Sequence, residues 1–388
     1  MREHDVVVFG ATGFTGRLCV DYLAGLAERP TFAIAGRDKA KLADIAEHVK
    51  AKHGFDLPIL VASSDDPASL EAMARTTRVV LTTVGPYVRY GEPLVAACVR
   101  EKTHYVDITG EPEFVADSIE RWDARARADG VRVVHCCGFD SVPHDLGALW
   151  IVRALEPKGP ASVQAFVQAG GTFSGGTWHS AVNAFSRMRE SGGAAKKIFA
   201  SVSTTRRVRG IAGRPHLEPE VGGWVLPMPT IDPAMVLRSA AMIDAYGPEF
   251  SYAHFVRVGS LANAVKLGVG VGAVIALAQL RPTRELLLRV KAPGAGPSEE
   301  ERARSYFRVT LVGRAGDKKV VARVSGGDPG YTETSKMVSE CALALARDEA
   351  KLPKRAGVLS PAAAFEDVLI DRLVNAGIRF ETLKTERA

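Results

Sequence analysis

The 388-residue chain is poor in the features that mark several large protein classes. Its five cysteines, at positions 19, 98, 136, 137 and 341, form no C-x-x-C pair, so neither a zinc site nor a disulfide framework is signalled and no metal is expected. There is no N-x-[ST] acceptor and no apolar run of the ~20 residues that a membrane span needs. A G-x-S-x-G elbow, a Walker A lysine motif and an H-E-x-x-H pair are all absent, which argues against hydrolase and kinase chemistry. None of the eight tyrosines has a lysine four residues on, so the short-chain dehydrogenase pair is missing too. The net charge of +6 is spread along the chain, which suits a small anionic ligand rather than a nucleic acid. The first residues run directly into an apolar strand pattern instead of a secretory signal, so the cytoplasm is the expected compartment.

What is present is a βα rhythm. Strand-length apolar runs at Asp5–Gly10, Thr31–Ala35, Leu57–Ala62, Val79–Val84, His104–Ile108 and Val131–Cys136 carry β-branched residues without alternation, as strands covered on both faces do. Amphipathic stretches at Phe14–Glu28, Lys39–Lys52, Glu92–Arg100 and Pro112–Ala128 separate them. The pattern predicts an α/β fold: an N-terminal Rossmann domain, a doubly wound parallel sheet, over 1–146. A second, α+β domain for substrate or dimerisation is expected over 147–330, with a strand at Ala161–Ala169, a helix at Trp178–Arg189, a loop at Gly210–Pro229 and a hairpin of Tyr306–Val312 with Lys319–Val324. Residues 331–388 read as a C-terminal helical segment, with helices near Thr334–Ala350 and Pro361–Ala376, packing back on the first domain.

The strongest chemical signal is Gly10-Ala11-Thr12-Gly13-Phe14-Thr15-Gly16, placed where the first strand turns into the first helix. Glycines there let the backbone approach a pyrophosphate, and the helix N-terminus offers free N–H groups and the positive end of its dipole. A plain βα turn is the alternative reading. An NAD site would carry Asp or Glu at the tip of the second strand for the ribose 2′-hydroxyl. This chain has Ala35-Gly36-Arg37, and a guanidinium grips a 2′-phosphate, so NADP(H) is the expected cofactor unless Arg37 is only a solvated cation at a helix start. Ser63, after the third strand, is expected beside the adenine.

Ligands on open α/β sheets bind beyond the carboxyl ends of the strands. Thr83, Gly85, Pro86 and Tyr87, at the end of the fourth strand, are therefore expected to border the nicotinamide ribose. Tyr87 is the first candidate proton donor, or else a packing aromatic. Asp140, in Gly138-Phe139-Asp140-Ser141, is the second, or else a helix cap. Asp107, Thr109 and Glu111 lie at a neighbouring strand end, and His144 and His179 read as lone structural histidines. From Val258 to Leu280 only Lys266 is charged. This stretch, weakened as a free helix by Gly268, Gly270 and Gly272 at about 1 kcal/mol each, reads as a buried or homodimer-interface helix, or else as an acyl-pocket lip or peripheral membrane contact.

With GATGFTGR (10–17), AGRDKAKL (35–42), VGPYVRYGEPLVAAC (84–98), YVDITGE (105–111) and CGFDSVPHDLG (137–147) in place, the chain resembles the saccharopine dehydrogenase-like oxidoreductases over nearly its whole length. SGGTWHS (174–180), GDPGYTETSKM (327–337) and the stretch GVLSPAAAFEDVLIDRLVNAGI (357–378) resemble the bacterial trans-acting enoyl reductases. His144 departs from the family pattern, which more often has Ser there. The resemblance implies NADP(H)-linked reduction of an α,β-unsaturated acyl or polyketide thioester, held on a carrier protein or polyketide synthase and feeding complex-lipid synthesis. It carries over no catalytic residue. A saccharopine-type amino-acid dehydrogenase is the second reading, although it needs several fixed cations that the Gly-rich central region does not obviously supply. A non-catalytic, NADP-binding, lipid-associated protein is the third.

Overall fold

A computed structural model describes residues 2–170, 182, 186, 188–290 and 296–387. His179, the 174–180 string and most of the helix expected at Trp178–Arg189 lie outside them. Two compact units result, Met1–Val142 with Tyr331–Ala376, and Pro143–Gly330 with Gly377–Ala388.

The first unit alternates β1 (His4–Phe9), α1 (Phe14–Ala24), β2 (Phe32–Gly36), α2 (Lys39–His53), β3 (Ile59–Val61), α3 (Pro67–Thr76), β4 (Thr77–Thr82), α4 (Tyr87–Arg100), β5 (His104–Asp107), α5 (Pro112–Ala128) and β6 (Arg132–Val134). At the start of α6 (Val142–Leu155) the chain passes to the second unit, to which that helix belongs. It comes back with α12 (Thr332–Arg347), β14 (Gly357–Leu359), α13 (Pro361–Phe365) and α14 (Asp367–Asn375). All seven strands are parallel, in the order β14-β6-β5-β4-β1-β2-β3. Val6, Val7 and Val8 are all buried, so successive side chains on both faces of the central strand are covered, which explains the missing alternation. Strand order reverses between β1 and β4, which puts the switch-point crevice beside the glycine loop.

The second unit holds β7 (Pro160–Gly170), α7 (Met188–Ala200), β8 (Arg207–Gly210), β9 (His216–Glu218), β10 (Gly223–Pro227), α8 (Asp232–Met242) and β11 (Glu249–Gly259). It continues with α9 (Leu261–Ala278), α10 (Arg281–Arg289), α11 (Glu299–Arg304), β12 (Tyr306–Ala315) and β13 (Lys318–Gly326), and ends in β15 (Arg379–Arg387). These strands make a mixed sheet, β15-β13-β12-β7-β11-β10-β9, with β8 also paired to β11. Phe166 and Phe255 stack at 5.4 Å in its core with Val225, Val312 and Val321. Gly147 lets α6 lie close on this sheet, since a Cβ there would stand 2.9 Å from Leu311.

Three sequence expectations need correction. The loop expected at Gly210–Pro229 contains β9 and β10, which pair with each other, and β10 joins the sheet through β11, a partner too far along the chain to read locally. Helix α4 starts at Tyr87, five residues before the expected Glu92, and runs through Gly91 and Pro93. The buried-core reading of the apolar helix fails, because in α9 only Ala264 and Ala278 are buried.

Candidate functional site

The glycine loop is built for close backbone approach. Gly10 has φ +90°, where a side chain is strained, and a Cβ there would meet Val84 Cγ2 at 2.7 Å. At Gly16 a Cβ would lie 2.2 Å from the Gly10 carbonyl oxygen, so only glycine lets α1 pack on its own loop. Gly13 is the N-cap of α1, without a side-chain cap, and the first turn holds no acidic residue. Ala11 is buried, Thr12, Phe14 and Thr15 flank it, and the Thr15 carbonyl accepts from Ser335 Oγ at 3.4 Å. Phe14 meets Tyr331 edge to face at 4.8 Å, so α12 buttresses the loop. A helix N-terminus left open by its own side chains, over a loop that admits no Cβ at Gly10 or Gly16, fits a pyrophosphate.

At the tip of β2, Arg37 is exposed and has no hydrogen-bond or ionic partner among the described residues. The next residue, Asp38, is a carboxylate at about the place where an NAD site would use one. Here it caps α2, accepting from Lys41 N at 3.1 Å, and pairs with the Lys41 ammonium at 3.5 Å. Its pKa is held below the usual carboxylate value chiefly by that backbone hydrogen bond. Ser63 is half-buried after β3, where its backbone N–H donates to Ser69 Oγ at 3.1 Å and its own Oγ accepts from Asp65 N.

Beyond β4, Thr83 Oγ1 donates to the Gly10 carbonyl at 3.3 Å, tying this loop to the glycine loop. Gly85 and Pro86 are exposed and joined by a cis peptide bond. Tyr87 is buried and stacked on Phe114, and its hydroxyl donates to the Thr82 carbonyl at 3.2 Å. Burial, with the Asp107 charge second, pushes its pKa well above the ordinary value. This placement fits the packing alternative, not a proton donor. The sequence also missed the cap of α4: Glu111 accepts from Tyr87 N at 3.0 Å and Val88 N at 2.9 Å, engaging both carboxylate oxygens.

Under the ends of β5 and β6 lies a fully buried polar network. Asp107 Oδ2 meets His135 Nδ1 at 2.7 Å and accepts from Tyr105 Oη at 2.9 Å, while Oδ1 accepts from Thr109 N and Cys136 N. His135 Nε2 reaches Ser118 Oγ at 2.8 Å. Every member is satisfied, so the network fixes the strand ends. Asp140 is exposed beyond β6, its Oδ2 standing 3.0 Å from where a Cβ on Gly110 would sit. Cys136 and Cys137 are buried.

His144 is not a lone histidine. Within the second unit its Nδ1 lies 2.9 Å from Asp232 Oδ1, and its ring is 4.8 Å from that of His254. Burial lowers the His254 pKa to about 4, so that histidine is neutral near pH 7. For Asp232 burial acts upward, but the neighbouring His144 and His254 outweigh it and hold the carboxyl below its usual range.

Residues 6–134 match the family model described as the saccharopine dehydrogenase NADP binding domain. A Mycobacterium tuberculosis H37Rv protein, provisionally named a trans-acting enoyl reductase, is 39% identical over 99% of this chain and 98% of its own. A Mycobacterium ulcerans Agy99 protein named trans-acting enoyl reductase is 32% identical over 97% of each. Apo saccharopine dehydrogenase (L-Glu forming) from Saccharomyces cerevisiae shares the fold, at TM-score 0.55 and 13% identity over 98% of this chain and 99% of its own. The chain belongs to the saccharopine dehydrogenase-like family of NADP-dependent oxidoreductases, and it is similar along its whole length to members named trans-acting enoyl reductase.

Proposed function

We propose that this protein is an NADPH-dependent enoyl reductase that saturates the α,β double bond of an acyl or polyketide thioester presented on a carrier protein or polyketide synthase, in the cytoplasm, for complex-lipid synthesis. The observation that carries the reading is end-to-end similarity to trans-acting enoyl reductases in a chain with a glycine-built pyrophosphate cradle. When bound, the nicotinamide supplies a hydride for the β-carbon of the enoyl group. Gly10, Gly13 and Gly16 let the backbone amides of Thr12 and of residues 14–16 face the diphosphate, Arg37 holds the 2′-phosphate, and Ser63 lies toward the adenine. Thr83, Gly85 and Pro86 border the nicotinamide ribose.

Hydride addition at the β-carbon builds enolate character on the thioester oxygen, which backbone N–H groups or hydroxyls at the strand ends stabilise. The α-carbon then needs a proton. Tyr87 does not deliver it, because its hydroxyl is buried and engaged with the Thr82 carbonyl. Asp140, exposed beyond β6, orients the water that does. Positioning of this kind holds reacting atoms about 3–3.5 Å apart.

The test is NADPH oxidation by purified protein with a panel of enoyl thioesters and, separately, with a keto acid plus amino acid. Turnover on the first panel alone is expected. Turnover on the second alone would make the protein a saccharopine-type dehydrogenase, and tight NADPH binding without turnover on either would make it a binding protein.

A further inference from the structure

The least explained surface of the second unit is the helix pair between β11 and β12. Helix α9 is 18 residues long with a mean hydropathy of 1.8, yet only two of its residues are buried. Val269 is 68% exposed, and Leu280, just beyond the helix, is 62% exposed. At 100° per residue, the exposed Leu261, Val265, Leu267, Val269 and Leu277 spread round more than half the circumference instead of forming one stripe. Gly268, Gly270 and Gly272 face open space, so they serve no close packing among the described residues. Helix α10, which packs against α9, is amphipathic: Arg281, Arg284 and Arg289 accompany an exposed Leu286, with Val290 exposed next to it.

Topology limits what can cover this surface. Strands β11 and β12 both pair with β7 in one sheet, so the two ends of the insertion lie on the same side of any bilayer. If α9 crossed, residues 279–305 would have to cross back, and Arg281, Arg284, Glu285 and Arg289 interrupt them before the charged Glu299–Arg304 helix. No apolar run of about 20 residues is available for that return. The insertion can therefore enter only one leaflet.

Charge decides between lipid and a second copy. Residues 261–290 carry Lys266, Arg281, Arg284 and Arg289 against Glu285 alone. A two-fold dimer would set this basic face against itself. A leaflet of anionic lipid surrounds an apolar helix on all sides and attracts the arginines at its surface. Glycine is also more frequent in membrane helices than in soluble ones. We infer that α9 and α10 form a monotopic anchor that docks this protein on an anionic membrane surface, with α9 sunk in one leaflet and the α10 arginines among the headgroups.

The test is co-sedimentation of the full chain with vesicles of phosphatidylcholine alone and of phosphatidylcholine with phosphatidylglycerol in equal parts. Binding to the mixed vesicles is expected, weakened but not abolished by salt. Val265→Asp with Val269→Asp, both at exposed positions, is expected to reduce partitioning roughly 100-fold. Arg281→Gln with Arg284→Gln is expected to reduce it roughly 30-fold on anionic vesicles only. The five native cysteines are all buried, so a fluorophore on a Val269→Cys variant reports selectively on α9. Its quenching should be strongest with nitroxides attached high on the acyl chains. Absence of vesicle binding, or binding unchanged by the aspartates, overturns the anchor. So does a soluble dimer that the aspartates split, which would assign the surface to a second copy, and quenching strongest at the midplane overturns the single-leaflet placement. These readouts need neither NADPH nor a thioester, so the anchor and the reductase reading fail separately.

Discussion

Replacing Arg37 by alanine should separate the two pyridine nucleotides. The guanidinium stands exposed at the end of β2 with no protein partner among the described residues, so its removal breaks no structural contact and the fold should be unaffected. A hydrogen bond to a charged group contributes about 1.5–3 kcal/mol, and a wet, exposed contact belongs in the lower half of that range. At 1.4 kcal/mol per decade, a loss of about 1.5–2 kcal/mol weakens NADPH about 10- to 30-fold. NADH lacks the 2′-phosphate, so its Kd should stay within roughly twofold. Nor should NADH gain affinity, because the adjacent Asp38 carboxylate remains held by Lys41 N at 3.1 Å and cannot turn to a ribose hydroxyl. Arg37→Lys keeps the charge without the planar fork and should fall between. Calorimetric titration of both nucleotides into each variant reads this directly. Equal weakening of NADPH and NADH, or no weakening of NADPH, refutes the assignment.

Gly16→Ala should abolish measurable NADPH binding, because its methyl group would stand 2.2 Å from a backbone oxygen; wild-type affinity in a titration would refute the cradle. Tyr87→Phe should leave the reduction rate nearly unchanged while lowering stability by about 1 kcal/mol in urea unfolding. A large fall in rate would restore Tyr87 as the donor. His135→Ala strips a partner from both Asp107 and Ser118 in a fully buried network and should cost about 3–5 kcal/mol of stability, with a loss below about 1 kcal/mol contradicting the network's role. Acidification should destabilise the fold through His254. Its folded pKa, about 4, lies below the ordinary 6.5, so the unfolded chain binds the extra proton between those values and stability falls as pH drops through that window. The size is about 3 kcal/mol, absent in His254→Gln, and pH-dependent thermal unfolding of both proteins checks it.

Much of the first unit was legible because its signals are local. The Asp-Val-Val-Val-Phe-Gly run, the glycine loop and the Pro112–Ala128 helix are each encoded within a single element, and the last of these spans the residues expected for it. What escaped depended on partners far along the chain. The start of α4 at Tyr87 rests on a Glu111 carboxylate from beyond β5, and β14 is three residues that become a strand only by pairing with β6. Helix α3 carries a local signal of its own, since Asp66-Pro67 supplies both an N-cap and a proline at the first turn. At the site, the sequence placed Tyr87 at the right strand end but could not show which way its hydroxyl points. Nor could it show that Asp107, His135 and Ser118 converge, because their positions are set by three separate elements.

The central claim is that this chain reduces an enoyl thioester with a hydride from NADPH, and isotope transfer tests it most directly. With NADPH deuterated at the transferred 4-position and an enoyl thioester on a carrier protein, mass spectrometry of the product should find one deuterium, at the β-carbon, and a solvent-derived hydrogen at the α-carbon. Product lacking the label, or no product at all while the nucleotide remains bound and unoxidised, contradicts the account.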